Sequence, residues 1–220
     1  MFTLVCFALK EEAGPFRKAV YPRREPDLGI CLVGIGRENA ARAIRTYLNS
    51  KASGLPDLVL TCGFAGGLNP DLKIGDVVFD IPAEKKSEPT YVGCYKKLVA
   101  AGARPVKFFC ADHIATTVGE KTKLRHETGA DAVEMESAAI QAVCAEKNIP
   151  CVTVRVISDT AHEDLPLDFN LLAKPDKSMD FGKLAWAIAR SPGKIGALMA
   201  LQKKTSLAAQ RLAEVLSKIL

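Results

Sequence analysis

Four separated segments of the chain carry acidic side chains or glycines at the ends of apolar runs. They are "LKEEAGPF" (9–16), "TCGFAGGLNPDLKIGD" (61–76), "VEMES" (133–137) and "RVISDTAHED" (155–164). Ligands of open α/β sheets bind at the carboxyl ends of strands, and glycines let a ligand approach the backbone closely. Carboxyl groups gathered there would be candidates for proton transfer to or from a ligand.

The stretch "AVEMESAAIQAV" (132–143) places two of these acids among residues typical of a buried strand that runs into a buried helix. A buried carboxylate without partners is unfavourable by several kcal/mol or more. Glu134 and Glu136 must therefore reach solvent, or a polar group must meet them.

Each of these polar residues also has an ordinary structural alternative. An acid in the first turn of a helix, or a side chain that caps a helix, is common in proteins. The residues for which this alternative stays open are Glu12, Glu136, Ser158 and Asp159. Likewise, Gly63, Gly66 and Gly67 could simply form a tight turn.

Short apolar runs alternate with segments of helical composition along the chain. Strands are predicted at 2–9, 29–35, 57–62, 75–81, 106–111 and 151–157, and helices at 38–52, 117–128 and 136–147. Most of the strands lack polar alternation, which is typical of strands covered on both faces. Residues 82–94 are predicted to form a loop. The pattern predicts an α/β fold with three layers, α/β/α, around a mixed, mainly parallel sheet, in a single domain of residues 1–220.

The segment from about 180 to 220 is predicted to be a basic helical tail, interrupted near residues 191–193. One apolar seam with 3-4 spacing runs along it: Leu198, Leu201, Thr205, Ala208, Leu212, Val215 and Ile219. Lys204, Arg211 and Lys218 recur beside the seam. Such a helix could pack on its own domain, on a second subunit, or on a membrane surface with anionic lipid.

The charge of the chain is unevenly distributed. The net charge is +5, but residues 171–220 hold nine Lys or Arg and only three Asp or Glu, so the rest of the chain is close to neutral. This distribution argues against a domain-wide nucleic-acid surface, and no nucleic-acid partner is predicted.

The seven cysteines form no C-x-x-C pair and mostly lie in apolar runs. That usage predicts reduced thiols in a cytoplasmic protein. The N-terminal run "MFTLVCFAL" is interpreted as a first strand and not as a signal peptide. No His/Cys/Asp cluster has metal-ligand spacing, so neither a metal nor an organic cofactor is predicted.

Order and spacing of the four segments together are more specific than any one of them. "KEE", "GFAGGLNPDLKIGDVV", "VEMESAAIQAVC" and "PCVTVRVISDTA" resemble the nucleoside phosphorylase/nucleosidase superfamily, in particular the methylthioadenosine/S-adenosylhomocysteine nucleosidases. This resemblance covers residues 1 to about 160. The segment "DFGKLAWAIARSPGKIGALMAL" (180–201) looks more like the hopanoid-associated phosphorylase-like branch, whose proposed substrate is adenosylhopane.

The resemblance implies cleavage of the bond between a purine and the anomeric carbon of ribose. It assigns Asp159 as the acid that protonates the purine at N7, and such a donor must be protonated when substrate is bound, a form that burial favours. It assigns Glu12 as the general base that activates water, and Glu136 as the group that binds the ribose hydroxyls, ionised through its place at a helix start. The other substrate-binding positions that it implies are Phe64, Ala65, Gly66, His113, Ile114, Glu134, Met135 and Ser158.

The chain departs from the family pattern where some phosphorylases hold phosphate. The arginine and serine of those enzymes correspond to Thr61 and Phe64, which cannot replace them, so water is favoured over phosphate. Arg37 in "GIGRENAAR" could still bring a cation to the same area. The base-stacking aromatic of the family corresponds to His113, which could stack on a purine, exchange a proton or be purely structural. The region between residues 80 and 112 is shorter than in the nucleosidases, which would leave the 5′ side of the sugar open.

The predicted function is therefore hydrolytic release of a purine from an adenosine-type nucleoside, with 5′-substituted adenosines such as methylthioadenosine, S-adenosylhomocysteine or an adenosylhopane-like lipid as candidate substrates. A phosphate-dependent purine nucleoside phosphorylase is one alternative. A nucleoside-binding protein without turnover is another. Homologues of this type form dimers or larger rings, so a homo-oligomer is expected.

Overall fold

The computed structural model describes residues 1–21, 27–50, 54–81, 87–174 and 180–220. The strands are Thr3–Phe7 (β1), Leu28–Leu32 (β2), Leu58–Gly67 (β3), Val77–Asp80 (β4), Arg104–Pro105 (β5), Phe108–Cys110 (β6), Ala132–Glu134 (β7) and Cys151–Asp159 (β8). The helices are Lys10–Val20 (α1), Arg37–Asn49 (α2), Pro89–Ala100 (α3), Val118–Thr128 (α4), Ser137–Glu146 (α5), Phe181–Arg190 (α6) and Ile195–Ile219 (α7). A turn of 3-10 helix, Pro192–Lys194, separates α6 from α7, where the interruption was predicted.

The strands form one mixed sheet. β2, β1, β3 and β8 lie side by side and run parallel. β4 is antiparallel to β8, and β5 is parallel to β4. β7 pairs antiparallel with the end of β3, and β6 is parallel to β7. The sheet is therefore mixed and mainly parallel, as the sequence predicted.

Helices cover both faces of this sheet. Val5 and Phe7 of β1 enter one core, to which α1, α3 and α7 contribute side chains. Leu4 and Cys6 enter the other core, which α2 and α5 complete. Successive side chains of a strand point to opposite faces, so a strand buried on both faces has no polar alternation. The predicted three-layer fold is confirmed.

The pairing of β3 with β8 contains one irregularity near its end. Ala65 pairs with Ile157, but Gly66 pairs with Asp159, so β8 holds Ser158 as an extra residue. A bulge of this kind breaks the alternation of side chains. As a result, Ser158 and Asp159 both line the same cleft.

Helix α4 has clear local signals at both ends. The hydroxyl of its N-cap, Thr117, accepts a hydrogen bond from the Glu120 N–H, and the helix ends at Gly129 in the left-handed conformation. Within Val118–Thr128 the one buried residue is Lys121.

The C-terminal half of α7 packs on the rest of the chain. Ala208, Leu212, Val215 and Ile219 of the predicted seam are buried, and the helix contacts α1, α3 and β8. The sequence left open whether this helix packs on its own domain, on a second subunit or on a membrane surface. The C-terminal half packs on its own domain. The N-terminal half is different, because Ile195 and Met199 are exposed there.

The prediction of a loop at 82–94 is wrong for the part of this segment that the structure describes. Residues 82–86 lie outside the described residues, but Pro89–Ala100 forms α3, with Pro89 at the first helical position. Tyr91, Cys94 and Leu98 of this helix are buried at 3-4 spacing. Helix α1 and the short strand β5 were also missed.

The seven cysteines are all free of disulfide bonds. Five are buried and two are half-buried, as expected for reduced thiols in apolar runs. Among the helices that the structure describes, none is long and apolar enough to cross a membrane.

Candidate active site

A cleft with a volume of about 240 Å³ opens at the carboxyl ends of β1, β3 and β8. The three acids that the resemblance singled out, at positions 12, 136 and 159, all line it. The other predicted site residues that line it are Phe64, Ala65, Gly66, His113, Ile114, Glu134, Met135 and Ser158. Segments far apart in the chain thus converge on one cavity.

Glu12 is the third residue of α1 and is 4% exposed. Its Oε2 accepts a hydrogen bond of 2.9 Å from the Leu9 N–H, and its Oε1 accepts one of 2.8 Å from the Phe64 N–H. Burial raises the pKa of Glu12 to about 7, although the Arg155 guanidinium and the Phe64 N–H oppose the shift. Glu12 is therefore both a first-turn acid and a carboxylate able to take a proton near neutral pH.

The Glu134 carboxylate accepts hydrogen bonds from backbone N–H groups at the start of α5. Its Oε2 accepts hydrogen bonds from the N–H groups of Glu136 (2.9 Å) and Ser137 (2.8 Å), and its Oε1 accepts one of 2.6 Å from the Ser137 hydroxyl. Burial alone would raise the pKa of Glu134, but the Arg155 guanidinium and the hydrogen bonds from Ser137 outweigh it and lower that pKa. This carboxylate is thus held ionised and fixed in place.

Glu136 stands at the N-cap of α5, but its side chain makes no capping hydrogen bond. Its Oε1 accepts a hydrogen bond of 2.9 Å from the Gly36 N–H, and its Oε2 lies 3.3 Å from the Arg155 guanidinium. Burial raises the pKa of Glu136, against the effect of Arg155, and the neighbouring Glu134 raises it further. Burial therefore outweighs the local effects that favour the ionised form, and the net shift of this pKa is upward.

Arg155, which the sequence analysis missed, lies at the centre of this acidic group. It is 1% exposed and donates to the Glu134 carboxylate over 2.6 Å and to the Thr61 hydroxyl over 3.3 Å. Burial raises the pKa values of Glu12 and Glu136 more than this one guanidinium lowers them, whereas Arg155 and the hydrogen bonds from Ser137 together lower that of Glu134. A lone arginine inside the apolar strand "CVTVRVIS" was a usable signal.

The Asp159 carboxylate is held by two side chains, those of Ser158 and Lys121. Its Oδ1 accepts a hydrogen bond of 2.7 Å from the Ser158 hydroxyl, and its Oδ2 lies 2.6 Å from the Lys121 ammonium. The side chains of Lys121 and Asp159 are 0% and 10% exposed. Lys121 gave no signal in the sequence, because it stands among the charged residues Glu120, Lys123 and Arg125.

Two glycines leave room for these side chains. A Cβ at position 63 would lie 2.7 Å from both the Glu12 Oε1 and the Arg155 Nη1, and one at position 66 would lie 3.2 Å from the Asp159 Oδ2. Close approach by a ligand and a simple tight turn were both open for these glycines from the sequence. In the structure, Gly63 and Gly66 accommodate the chain's own acids.

The remaining walls of the cleft are mostly apolar. His113 lies on one side, where its Nε2 is 2.6 Å from the Glu120 carboxylate. The backbone of Ile114 is fixed by two hydrogen bonds, of 2.8 and 2.9 Å, to the side-chain amide of Asn170, a residue that the sequence analysis missed. Leu165, Phe169, Leu201 and Thr205 close the far side.

Comparison with known proteins decides the family. A family model described as "Phosphorylase superfamily" matches residues 18–79 and 94–190. The chain belongs to the phosphorylase superfamily. The resemblance inferred from the four segments is therefore confirmed.

Two proteins that are similar to this chain in sequence are both named nucleosidases. The chain is 32% identical over 164 residues to the 5′-methylthioadenosine/S-adenosylhomocysteine nucleosidase of Shewanella pealeana. The aligned residues make up 62% of this chain and 70% of that protein. It is 30% identical over 171 residues to the nucleosidase of the same name from Shewanella halifaxensis, with 66% and 73% covered.

Two solved structures share the fold of this chain. The nucleosidase of Campylobacter jejuni has a TM-score of 0.68 and 18% identity, and the comparison covers 100% of this chain and 98% of that chain. The futalosine hydrolase of Helicobacter pylori has a TM-score of 0.70 and 17% identity, with 100% and 97% covered.

Arg37 does not occupy the position in the cleft that the sequence analysis considered for it. Its Nε lies 3.3 Å from the Asp112 carboxylate, and its Nη2 donates to the Cys110 carbonyl. Arg37 is half-exposed and is not among the residues that line the cleft. Its engagement with β6 and the following loop explains why it points elsewhere.

Proposed function

We propose that this chain is a nucleosidase that hydrolyses the bond between a purine base and ribose in an adenosine-type nucleoside. The observation that carries the proposal is the convergence of Glu12, Glu136 and Asp159 on one cleft, in a member of the phosphorylase superfamily. The chemistry needs an acid for the base, a base for water and a group for the sugar hydroxyls. Each is supplied from a different segment of the chain.

Asp159 is the acid in this proposal. A purine is a poor leaving group as an anion, and a proton delivered to its N7 lets the electron pair of the ribosidic bond move into the ring. The ribose then passes through a cation-like transition state. The hydrogen bond from Ser158 orients the carboxyl group of Asp159 within the cleft.

Glu12 is the base. A water molecule attacks the anomeric carbon and gives a proton to the Glu12 carboxylate as the new bond forms. The pKa of about 7 for Glu12 suits this role, because the group is substantially ionised at neutral pH and still basic enough to accept a proton. Glu136 and Met135 line the same cleft and are proposed to contact the ribose.

Water is favoured over phosphate as the nucleophile. The cleft near Glu12 contains three carboxylates, whose charge opposes a phosphate anion. The buried guanidinium of Arg155, which lies close to these acids, is engaged by Glu134 and Glu136. The relatives at 30% identity or more are named nucleosidases as well.

The candidate substrates differ in their 5′ substituent. Leu165, Phe169 and Leu201 form an apolar wall that suits an uncharged group at the 5′ carbon. We propose 5′-methylthioadenosine as the first substrate to test, since the relatives are named for it, with S-adenosylhomocysteine and a long-chain 5′-alkyl adenosine beside it.

The exposed side chains of Trp186, Ile195 and Met199 lie on α6 and on the N-terminal half of α7. We propose that a second copy of the chain covers them in a cytoplasmic homo-oligomer. A monomer by light scattering that floats with anionic vesicles would instead support the membrane interpretation of this helix.

A base-release assay tests the proposed activity. Purified protein is incubated with adenosine, inosine, 5′-methylthioadenosine and the long-chain analogue, with and without phosphate. We expect phosphate-independent release of adenine and loss of about 10²- to 10⁴-fold in kcat for Asp159→Asn, with a modest change in binding. Ribose 1-phosphate as the product would establish a phosphorylase, and binding without release by the native protein would establish a binding module.

A further inference from the structure

Lys121 is a buried cation beside Asp159, the proposed acid of the cleft. Its side chain is fully buried, on a helix whose other residues reach solvent at least in part. A lysine is almost never fully buried unless it is paired, because desolvation of its charge is costly. Packing alone would be served better by an apolar side chain at this position.

The ammonium group of Lys121 is fully satisfied by oxygen atoms. It donates to the Asp159 Oδ2 over 2.6 Å, to the Thr160 carbonyl over 2.8 Å and to the Glu163 carbonyl over 3.0 Å. These three acceptors match its three N–H groups. The nitrogen is therefore fixed against one oxygen of the Asp159 carboxyl group, which lines the cleft.

The other acidic side chains near Lys121 have partners of their own, so Asp159 is the principal partner of Lys121. Glu163, in the segment after β8, has its carboxylate on the Thr160 N–H and on Lys204 of α7. Glu120, beside Lys121 on α4, is held by His113 and the Thr116 N–H. A further acid near α4, Asp164, accepts from the Val118 N–H.

We propose that Lys121 is a positioning residue that holds Asp159 and stores the proton that the purine receives. This inference rests on the proposed nucleosidase activity. A carboxylate beside an ammonium and a carboxylic acid beside an amine contain the same number of protons, so the proton belongs to the pair. When a nucleoside fills the cleft and excludes water, the uncharged form of the pair becomes less unfavourable, because charges lose their solvation.

The proton steps balance as follows. One proton moves from the Lys121 nitrogen to the Asp159 Oδ2, and the Asp159 carboxyl group gives one proton to the purine N7. The bond between C1′ and N9 breaks with its electron pair on the purine, water adds to C1′, and its proton goes to Glu12. The pair, now an amine and a carboxylate, recovers a proton from solvent, to which Glu12 returns the one it took.

The pair would make acid catalysis less dependent on the protonation of Asp159 by itself. Without Lys121, a carboxylate has to take its proton from solvent, and this becomes rarer as the pH rises. With Lys121, the proton is held by three hydrogen bonds directly beside the carboxyl group that passes it on. The structure therefore predicts a specific defect on the alkaline side for variants that lack this nitrogen.

The test uses the full chain with Lys121→Met and Lys121→Arg, and with Lys123→Met as the matched control on the exposed face of α4. The pH dependence of kcat and KM is measured with 5′-methylthioadenosine from pH 5 to pH 10. We expect Lys121→Met to lose about 10²-fold in kcat at pH 8, with KM changed by less than about threefold and with a smaller loss at pH 5.5. Lys121→Arg should share the alkaline loss, because a guanidinium holds the carboxylate but does not release its proton. Lys123→Met should match the native enzyme.

A second substrate separates proton supply from general damage. The leaving group of 4-nitrophenyl riboside departs without a proton, so the native protein and both Lys121 variants should cleave it at equal rates. An alkaline profile of Lys121→Arg like that of the native enzyme, or equal losses of Lys121→Met at every pH and on both substrates, would overturn the inference. If Lys121→Met fails to fold, as judged by circular dichroism, the Lys121→Arg profile decides. No base release by the native protein would instead reject the proposed function itself.

Discussion

The Arg155 guanidinium lies 2.6 Å from the Glu134 carboxylate, in an ion pair whose side chains are 1% and 0% exposed. Removal of one partner of such a pair leaves an uncompensated charge in the interior. We expect Arg155→Met to lower the free energy of unfolding by about 3–5 kcal/mol at pH 7, measured by urea denaturation. The surface pair of Arg45 with Glu146 provides the control, because Arg45→Met should cost at most about 1 kcal/mol. An Arg155→Met protein as stable as the native one would show that the acids do not depend on this cation.

The raised pKa of Glu12 predicts an acid limb in the activity. As the pH falls below about 7, the carboxylate takes up a proton and can no longer serve as a base. kcat/KM should therefore fall about tenfold for each pH unit below that value, and Glu12→Gln should lose about 10³-fold at neutral pH. The exposed neighbour Glu11 offers the control, since Glu11→Gln should keep the native profile. A native profile flat from pH 8 to pH 5 would be incompatible with Glu12 as the base.

The same carboxyl group should make stability depend on pH. The pKa of Glu12 is about 7 in the fold and 4.5 ordinarily, so between these values the folded state holds a proton that the unfolded state has lost. Stability from this group is then fully present below pH 4.5 and is lost as the pH rises through 7. Relative to Glu12→Gln, the native protein should lose about 3 kcal/mol across this window, measured by urea denaturation at pH 4.5 and pH 8. A constant difference between the two proteins would contradict the raised pKa.

Gly63 keeps two charged side chains in place. A methyl group there would meet Glu12 and Arg155 at 2.7 Å, so both would have to move. We expect Gly63→Ala to lower kcat by about 10²-fold, because displacement by about 1 Å is enough to misalign a catalytic base. Gly119→Ala, at a position where a Cβ meets nothing within 4 Å, should leave kcat unchanged. Comparable kinetics for the two variants would mean that the site relaxes around the added methyl group.

The C-terminal helix should be part of the folded core. Leu212 is 1% exposed and packs in the core that α1 and α3 share. Leu212→Ala is expected to lower the free energy of unfolding by about 2–5 kcal/mol, whereas Leu207→Ala, half-exposed on the same helix, should change it by less than about 0.5 kcal/mol. Urea denaturation of both variants checks this, and a small effect at Leu212 would show that α7 adds little to the stability of the chain.

Patterns within the sequence predicted much of the fold. Unbroken apolar runs gave the central strands β1, β3 and β8, since their side chains are buried on both faces. The 3-4 spacing of Leu212, Val215 and Ile219 gave the buried side of α7. Helix α3 was missed because the polar stretch before it is typical of a loop.

The acids of the site were predicted because the segments that contain them resemble a known family. The basic side chains that pair with these acids, Lys121 and Arg155, were not predicted. Lys121 lies 38 residues from Asp159 in the chain, and local periodicity carries no information about such a contact. The position of Arg37 outside the lining of the cleft could not be predicted for the same reason, because its partner Asp112 is distant in the chain. The protonation preference of Glu136 depends on burial by the whole fold, which outweighs its position at the start of a helix.

The extra residue in β8 has a consequence for how such a chain can change. Ser158 and Asp159 both look into the cleft only because β8 is one residue longer there than its neighbour β3. Loss of a single codon at this point would leave every other acid of the site intact, yet it would return strict alternation to the strand and turn one of the two side chains to the other side of the sheet. Insertions and deletions, more than substitutions, should therefore be what evolution cannot tolerate at this place.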